Sequence, residues 1–160
     1  MVAGLLAQRA CRGMVKMMQA RDVDGLLRRF AEDAVYEVAG HSPIAGRHEG
    51  RPAIEALYRT VFEHLASLEV RIGSVAVTRP FGLRDNTIIV EVSAVETSRE
   101  GVVVPTRNLL VVELRQGKIV SMREYIWDAD RYATLWRPPV QRPAELPDDG
   151  STERRVAVPV

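Results

Sequence analysis

Apolar residues recur at helical spacing in three stretches of the first half of the chain. Within Met1 to Arg21, Met14, Met17 and Met18 lie on faces apart from Arg9, Arg12, Lys16 and Gln19, the arrangement of an amphipathic helix. That segment holds no acidic residue and superficially suits a targeting leader, but its helical spacing favours a structural element. Val23, Leu26, Leu27 and Phe30 then sit at i, i+3, i+4 and i+7, with Asp22 placed to cap a short second helix. Pro52 opens a third helix in the first turn, where a missing N–H costs nothing. Its buried stripe is Ile54, Leu57, Tyr58, Val61 and Leu65, with Glu55, Arg59 and Glu63 on the wet face.

Between the second and third helices, Ala34 to Val38 reads as a strand, and residues 39–50 read as a long ordered loop because three glycines and Pro43 interrupt any regular element. From Leu68 onward the period changes from 3.6 to 2. Leu68, Val70 and Ile72 alternate with polar residues, Pro80-Phe81-Gly82 turns the chain, and Thr87 to Val95 is rich in β-branched residues. Val102 to Leu114 and Lys118 to Trp127 are joined by Arg115-Gln116-Gly117-Lys118, a tight hairpin. Asp128 or Asp130 caps a last short helix over residues 131–136. The expected fold class is α+β, with helices gathered on one face of a curved, mostly antiparallel sheet that encloses a pocket. Residues 1–136 form this domain. Residues 137–160 carry five of the nine prolines and no aromatic residue, so they read as an irregular tail.

Charge and cysteine content narrow the function classes. Lys and Arg number 22 against 21 Asp and Glu, a net charge of +1, which gives no basic excess for nucleic acid. One cysteine, Cys11, can form neither an internal disulfide nor a cysteine-built metal site, which makes the cytoplasm the expected location. No apolar run approaches the roughly 18 residues of a membrane span, so no membrane partner is expected.

Phe30-Ala31-Glu32-Asp33-Ala34-Val35-Tyr36, Ser42-Pro43-Ile44-Ala45-Gly46, Gly50-Arg51-Pro52-Ala53-Ile54 and residues 117–125 resemble, in that order, the landmarks of the SnoaL-like family of the nuclear transport factor 2-like superfamily. The resemblance covers residues 5–136 and implies a cone-shaped fold, a homodimer, and a pocket for a small hydrophobic metabolite. Within that superfamily the fold hosts ketosteroid isomerases, polyketide cyclases, limonene-type epoxide hydrolases and non-catalytic members, so fold alone does not assign the chemistry. The three catalytic positions of ketosteroid isomerases fall on Met14, Val38 and Arg107, and all three are lost. That activity is not expected. Of the epoxide hydrolase set, Tyr36 matches the tyrosine and Glu124 the last carboxylate, while Val38 replaces the asparagine and the Arg-x-Asp pair is absent.

Candidate site residues follow from face and chemistry. Met122, Glu124 and Ile126 share the strand face that the resemblance turns into the cone, and a carboxylate between apolar neighbours is suited to acid/base work. Tyr36 shares its face with Val38 and offers a hydroxyl to a substrate oxygen. His41 lies in the long loop at the implied pocket mouth, where an imidazole can serve as acid or base. These three, Glu124, Tyr36 and His41, are the catalytic candidates. Arg107, Val38, Met14, Met122, Ile126, Trp127 and Glu91 are the substrate-binding candidates, although the hairpin length leaves open which face Glu91 takes. Trp127 and Trp136 close the wide end or pack the last helix; His64 reads as surface and His48 as solvated loop. The scattered histidines give no metal-ligand spacing, and no phosphate loop or dinucleotide fingerprint occurs, so neither metal nor cofactor is expected.

Two readings remain. One is acid/base catalysis at Glu124 on a polyketide- or terpenoid-like substrate: cyclisation, isomerisation, dehydration or epoxide opening. The other is a non-catalytic binding or accessory module in which Glu124 merely neutralises a buried Arg107.

Overall fold

The structure, a computed structural model, describes residues 2–82 and 84–137. Helix α1 (Val2–Ala20) leads into α2 (Val23–Leu27), which Asp22 caps by accepting a hydrogen bond from the Gly25 N–H at 2.8 Å. Strand β1 (Phe30–Val38), strand β2 (Gly46–Glu49) and helix α3 (Gly50–His64) follow. Four long strands complete the sheet: β3 (Leu65–Val77), β4 (Asn86–Ser98), β5 (Val103–Arg115) and β6 (Lys118–Ile126). The short helix α4 (Ala129–Thr134) ends the described part, and the expected tail, residues 138–160, lies outside it. No helix among the described residues is long and apolar enough to cross a membrane.

The sheet runs β2-β1-β6-β5-β4-β3, with β1 and β6 parallel and every other neighbouring pair antiparallel. Helix α1 packs on β3 and α3 on β1, so the helices cover one face of the sheet and leave the other open. Leu26, Phe30, Ile54, Leu65, Val104 and Leu135 are fully buried at the centre of this packing. Gln116 and Gly117 both adopt positive φ, +50° and +77°, the geometry that lets a two-residue turn follow the right-handed twist of β5 and β6.

Several element boundaries differ from the sequence reading, three of them with a clear physical reason. Phe30 continues the helical spacing but begins β1, where its backbone carbonyl takes two hydrogen bonds from the Arg51 guanidinium at 3.1 and 2.7 Å. Leu65 likewise belongs to β3 rather than to the end of α3. Residues 46–49, expected as loop, form an edge strand because β1 offers them a ladder from Val38↔Gly46 to Val35↔Glu49. They carry no apolar alternation of their own. The Arg47 guanidinium instead bridges Glu37 on β1 and Glu49 on its own strand, at 2.8 and 2.6 Å.

Candidate active site

The pleat of the sheet decides what enters the cone. On β4 the inward set is Ile88, Val90, Val92, Ala94 and Glu96; on β5 it is Asn108, Leu110 and Val112; on β6 it is Met122 and Glu124. With Tyr36 and Val38 of β1, Met14 and Cys11 of α1, Tyr58 of α3 and Tyr132 of α4, they line a cavity of about 250 Å³. That volume lies near the lower end of ligand pockets, and its walls are largely aliphatic.

Glu124 is the polar centre. The Tyr36 hydroxyl donates to its Oε2 at 2.6 Å, and the Asn108 amide donates to its Oε1 at 2.6 Å. Both donors are neutral, so the carboxylate is held by hydrogen bonds without a counter-cation. Burial raises its pKa above the ordinary range, and the two donors work against that rise. Burial first, and then the charge of Glu124, push the Tyr36 hydroxyl well above its usual pKa, so it remains a donor. Phe30, Tyr36 and Tyr58 pack ring against ring at centroid distances of 6.1–6.3 Å, which fixes the Tyr36 ring on the carboxylate.

A second carboxyl shares the cavity. Glu96, buried on β4, is pushed up to about 7, chiefly by burial and secondly by the charge of Glu124. Thr106 donates to its Oε1 at 3.4 Å, a long bond that lowers the pKa only in part. The Tyr132 hydroxyl of α4 feels the charge of both carboxylates, and burial above all raises its pKa. Glu96 and Asn108 were missed from the sequence. Their signal was present: the apolar face Val90, Val92, Ala94 extends by one more step of two to Glu96, and Thr106, Asn108 and Leu110 alternate with exposed neighbours.

The remaining sequence candidates divide by location. Met14, Val38 and Met122 line the cavity beside Tyr36 and Glu124, whereas Ile126 packs against the core without lining it. Arg107 does not enter the cone. It pairs in register with Ser93 on the outer face, one residue out of phase with Asn108, and the expected Arg107–Glu124 pair is not formed. Glu91, opposite Leu109, is exposed on the same outer face. Trp127 is 82% exposed just beyond β6 and touches neither cavity nor core. His41 is also outside the cavity; its Nε2 lies 3.2 Å from Asp130 Oδ1, and both side chains are solvated. The ring nitrogen Nε2 of His48 lies 3.0 Å from the Ile44 carbonyl. His64, expected at the surface, is half-buried and stacks on Trp136 at 4.3 Å. Among the described residues no three His, Cys, Asp or Glu side chains group as a metal-ligand set.

The SnoaL-like domain family matches residues 11–122, most of the sheet, all of α3 and the second half of α1. The chain belongs to this family. Solved structures show the same fold. Bal32a, from a soil-derived mobile gene cassette, superposes with a TM-score of 0.68 at 23% identity, over 84% of this chain and 99% of that one. A Mycobacterium tuberculosis protein in complex with estradiol-17beta-hemisuccinate superposes with a TM-score of 0.65 at 24% identity, covering 78% and 95%. TerC, co-crystallised with polyporic acid, gives 0.67 at 14% identity, covering 81% and 97%. No curated protein matches the chain in sequence. The expected α+β cone and family are thereby established, as is a SnoaL-like pocket protein.

Proposed function

We propose that this SnoaL-like chain takes a small, mostly apolar metabolite into the cone and moves a proton on it with its own side chains. Glu124 accepts and returns the proton, and Tyr36 and Asn108 hold the carboxylate in position. One observation carries this reading: a desolvated carboxylate faces an apolar hollow of about 250 Å³ and is oriented by two neutral donors at 2.6 Å. A carboxylate kept only to neutralise a buried arginine needs that arginine, and Arg107 lies outside. Small-molecule complexes of two fold relatives support a ligand-sized interior. The reaction class is isomerisation, cyclisation, dehydration or epoxide opening of a polyketide- or terpenoid-like skeleton, all of which need one positioned acid/base group.

Glu124→Gln is the test. Deuterium uptake or product formation from D2O, followed by NMR over a panel of cyclic enones, β-diketones and terpene epoxides, should fall at least about 100-fold. The melting temperature should stay the same or rise slightly, because no buried cation is orphaned and one desolvated charge is removed. Turnover retained in the variant overturns the assignment, and binding without turnover across the panel replaces it with a binding module.

We also propose that the outer face of the sheet pairs two copies of the chain. Ile89, Val95, Val103, Leu109 and Tyr125 are each at least one-third exposed there, a run of apolar side chains unusual for a surface left in water. Solution mass tests it, as set out in the Discussion.

A further inference from the structure

The interior of the cone has more hydrogen-bond acceptors than donors to fill them. Glu124 uses two of its roughly four acceptor sites, and Glu96 uses one through the 3.4 Å bond from Thr106. Asn108 gives its amide N–H to Glu124 and leaves Oδ1 buried without a donor. Two carboxylates therefore share one apolar cavity, and the charge of Glu124 opposes that of Glu96. Arg29 is the single cation among the described lining residues, and it is exposed to solvent. Like charges in a desolvated space are relieved either by a proton or by a cation brought from outside. Tyr36, Tyr58 and Tyr132 add aromatic rings to the same walls, and ring faces attract cations.

We infer that the ligand of this cavity carries a protonated amine, seated between Glu96 and Glu124, with its apolar body against the aliphatic walls. The inference rests on the reading that the cavity is a small-molecule site, and it narrows the proposed polyketide- or terpenoid-like ligand to one that bears an amine. An ammonium group supplies three donors, no acceptor and one positive charge, which is what the site lacks. A neutral hydroxyl supplies one donor and no charge. A carboxylate ligand would bring a third negative charge into the cone.

The titratable and charged groups around Glu96 set the pH response. They are Glu124 on β6, Tyr36 on β1, Tyr58 on α3, Tyr132 on α4, Cys11 on α1 and Arg29 before β1. The tyrosines and Cys11 all have raised pKa values and stay neutral through pH 8. Glu96 takes on its charge around pH 7. Amine affinity should accordingly strengthen from pH 6 to pH 8.

Calorimetric titration of the full chain with 2-phenylethylamine, 2-phenylethanol and 3-phenylpropionate, probes of similar size, decides the matter. The amine is expected to bind about tenfold or more tighter than the alcohol at pH 8, with the margin shrinking at pH 6 and the acid weakest throughout. Glu96→Gln, its fold confirmed by thermal melting, should bring the amine-to-alcohol ratio close to one, while Arg107→Ala on the outer face should leave the ratio unchanged. An alcohol or acid that equals the amine at pH 8, or a ratio unmoved by Glu96→Gln, overturns the amine inference and leaves the small-molecule reading standing. If none of the three binds, and the apolar probe toluene fails as well, the underlying reading falls instead.

Discussion

Glu96 shows how one side chain couples folding to pH. Its carboxyl ionises near the ordinary 4.5 in the unfolded chain and at about 7 in the folded one, so between those values the folded state holds the extra proton. Stability contributed by this group is therefore full below about pH 4.5, falls as pH rises, and is lost above about 7. The difference amounts to at most about 3 kcal/mol. Glu96→Gln removes the titration, so the variant should match the parent at pH 4 and exceed it at pH 8, measured by urea unfolding at both values. A variant that differs from the parent by the same amount at the two pH values would show that Glu96 is not desolvated. Two-residue alternation set Glu124 and Tyr36 among apolar neighbours on one strand face each, and the family resemblance turned those faces inward. Arg107 was turned inward by the resemblance alone, and its phase along β5 is one residue off. Asn108, one residue later, stands where the arginine was expected.

Individual elements are held by side chains reaching across to them. The Arg21 guanidinium donates to the carbonyls of Phe62 and Leu65 at 2.7 and 2.8 Å, tying the end of α1 to the last turn of α3 and the start of β3. The Asn86 amide donates to the Arg79 and Gly82 carbonyls at 2.7 Å each and closes the turn between β3 and β4. Helix α4 is too short to be stable alone and depends on docking. His64 of α3 stacks on Trp136 at 4.3 Å, and its Nε2 lies 2.7 Å from the Leu135 carbonyl. A carbonyl only accepts, so Nε2 carries the hydrogen. His64→Ala should loosen α4, cost about 1–2 kcal/mol, and shift tryptophan emission to the red. Trp127 is already exposed, so the shift reports on Trp136; unchanged emission would mean that α4 is held by other contacts. The edge strand β2 was illegible in sequence for a related reason: its four residues are strand only because β1 pairs with them.

Across the whole molecule, the sheet presents two unlike faces. The inner one closes on the helices around the cavity, and the outer one leaves Leu109 and Tyr125 as opposed neighbours on β5 and β6 in contact with solvent. If this face joins two copies, sedimentation should give twice the 17.8 kDa chain mass, and Leu109→Glu with Tyr125→Glu should return the monomer. A monomeric parent at micromolar concentration would reject the dimer. Alternation, capping residues and turn glycines were enough by themselves to determine the α+β class and the order of all elements but β2, and the ordered landmark motifs pointed to the family. These are local properties, set by a period of 3.6 or 2 and by backbone conformations that few residues tolerate. Which residues meet in the cavity was decided only in the folded sheet. The contacts of Glu124 with Tyr36 and Asn108 join positions 88 and 16 residues apart, and its influence on Glu96 crosses from β6 to β4. Strand register and the inward phase of each pleat bring them together, and a slip of one residue sends an arginine to water and an asparagine to the carboxylate.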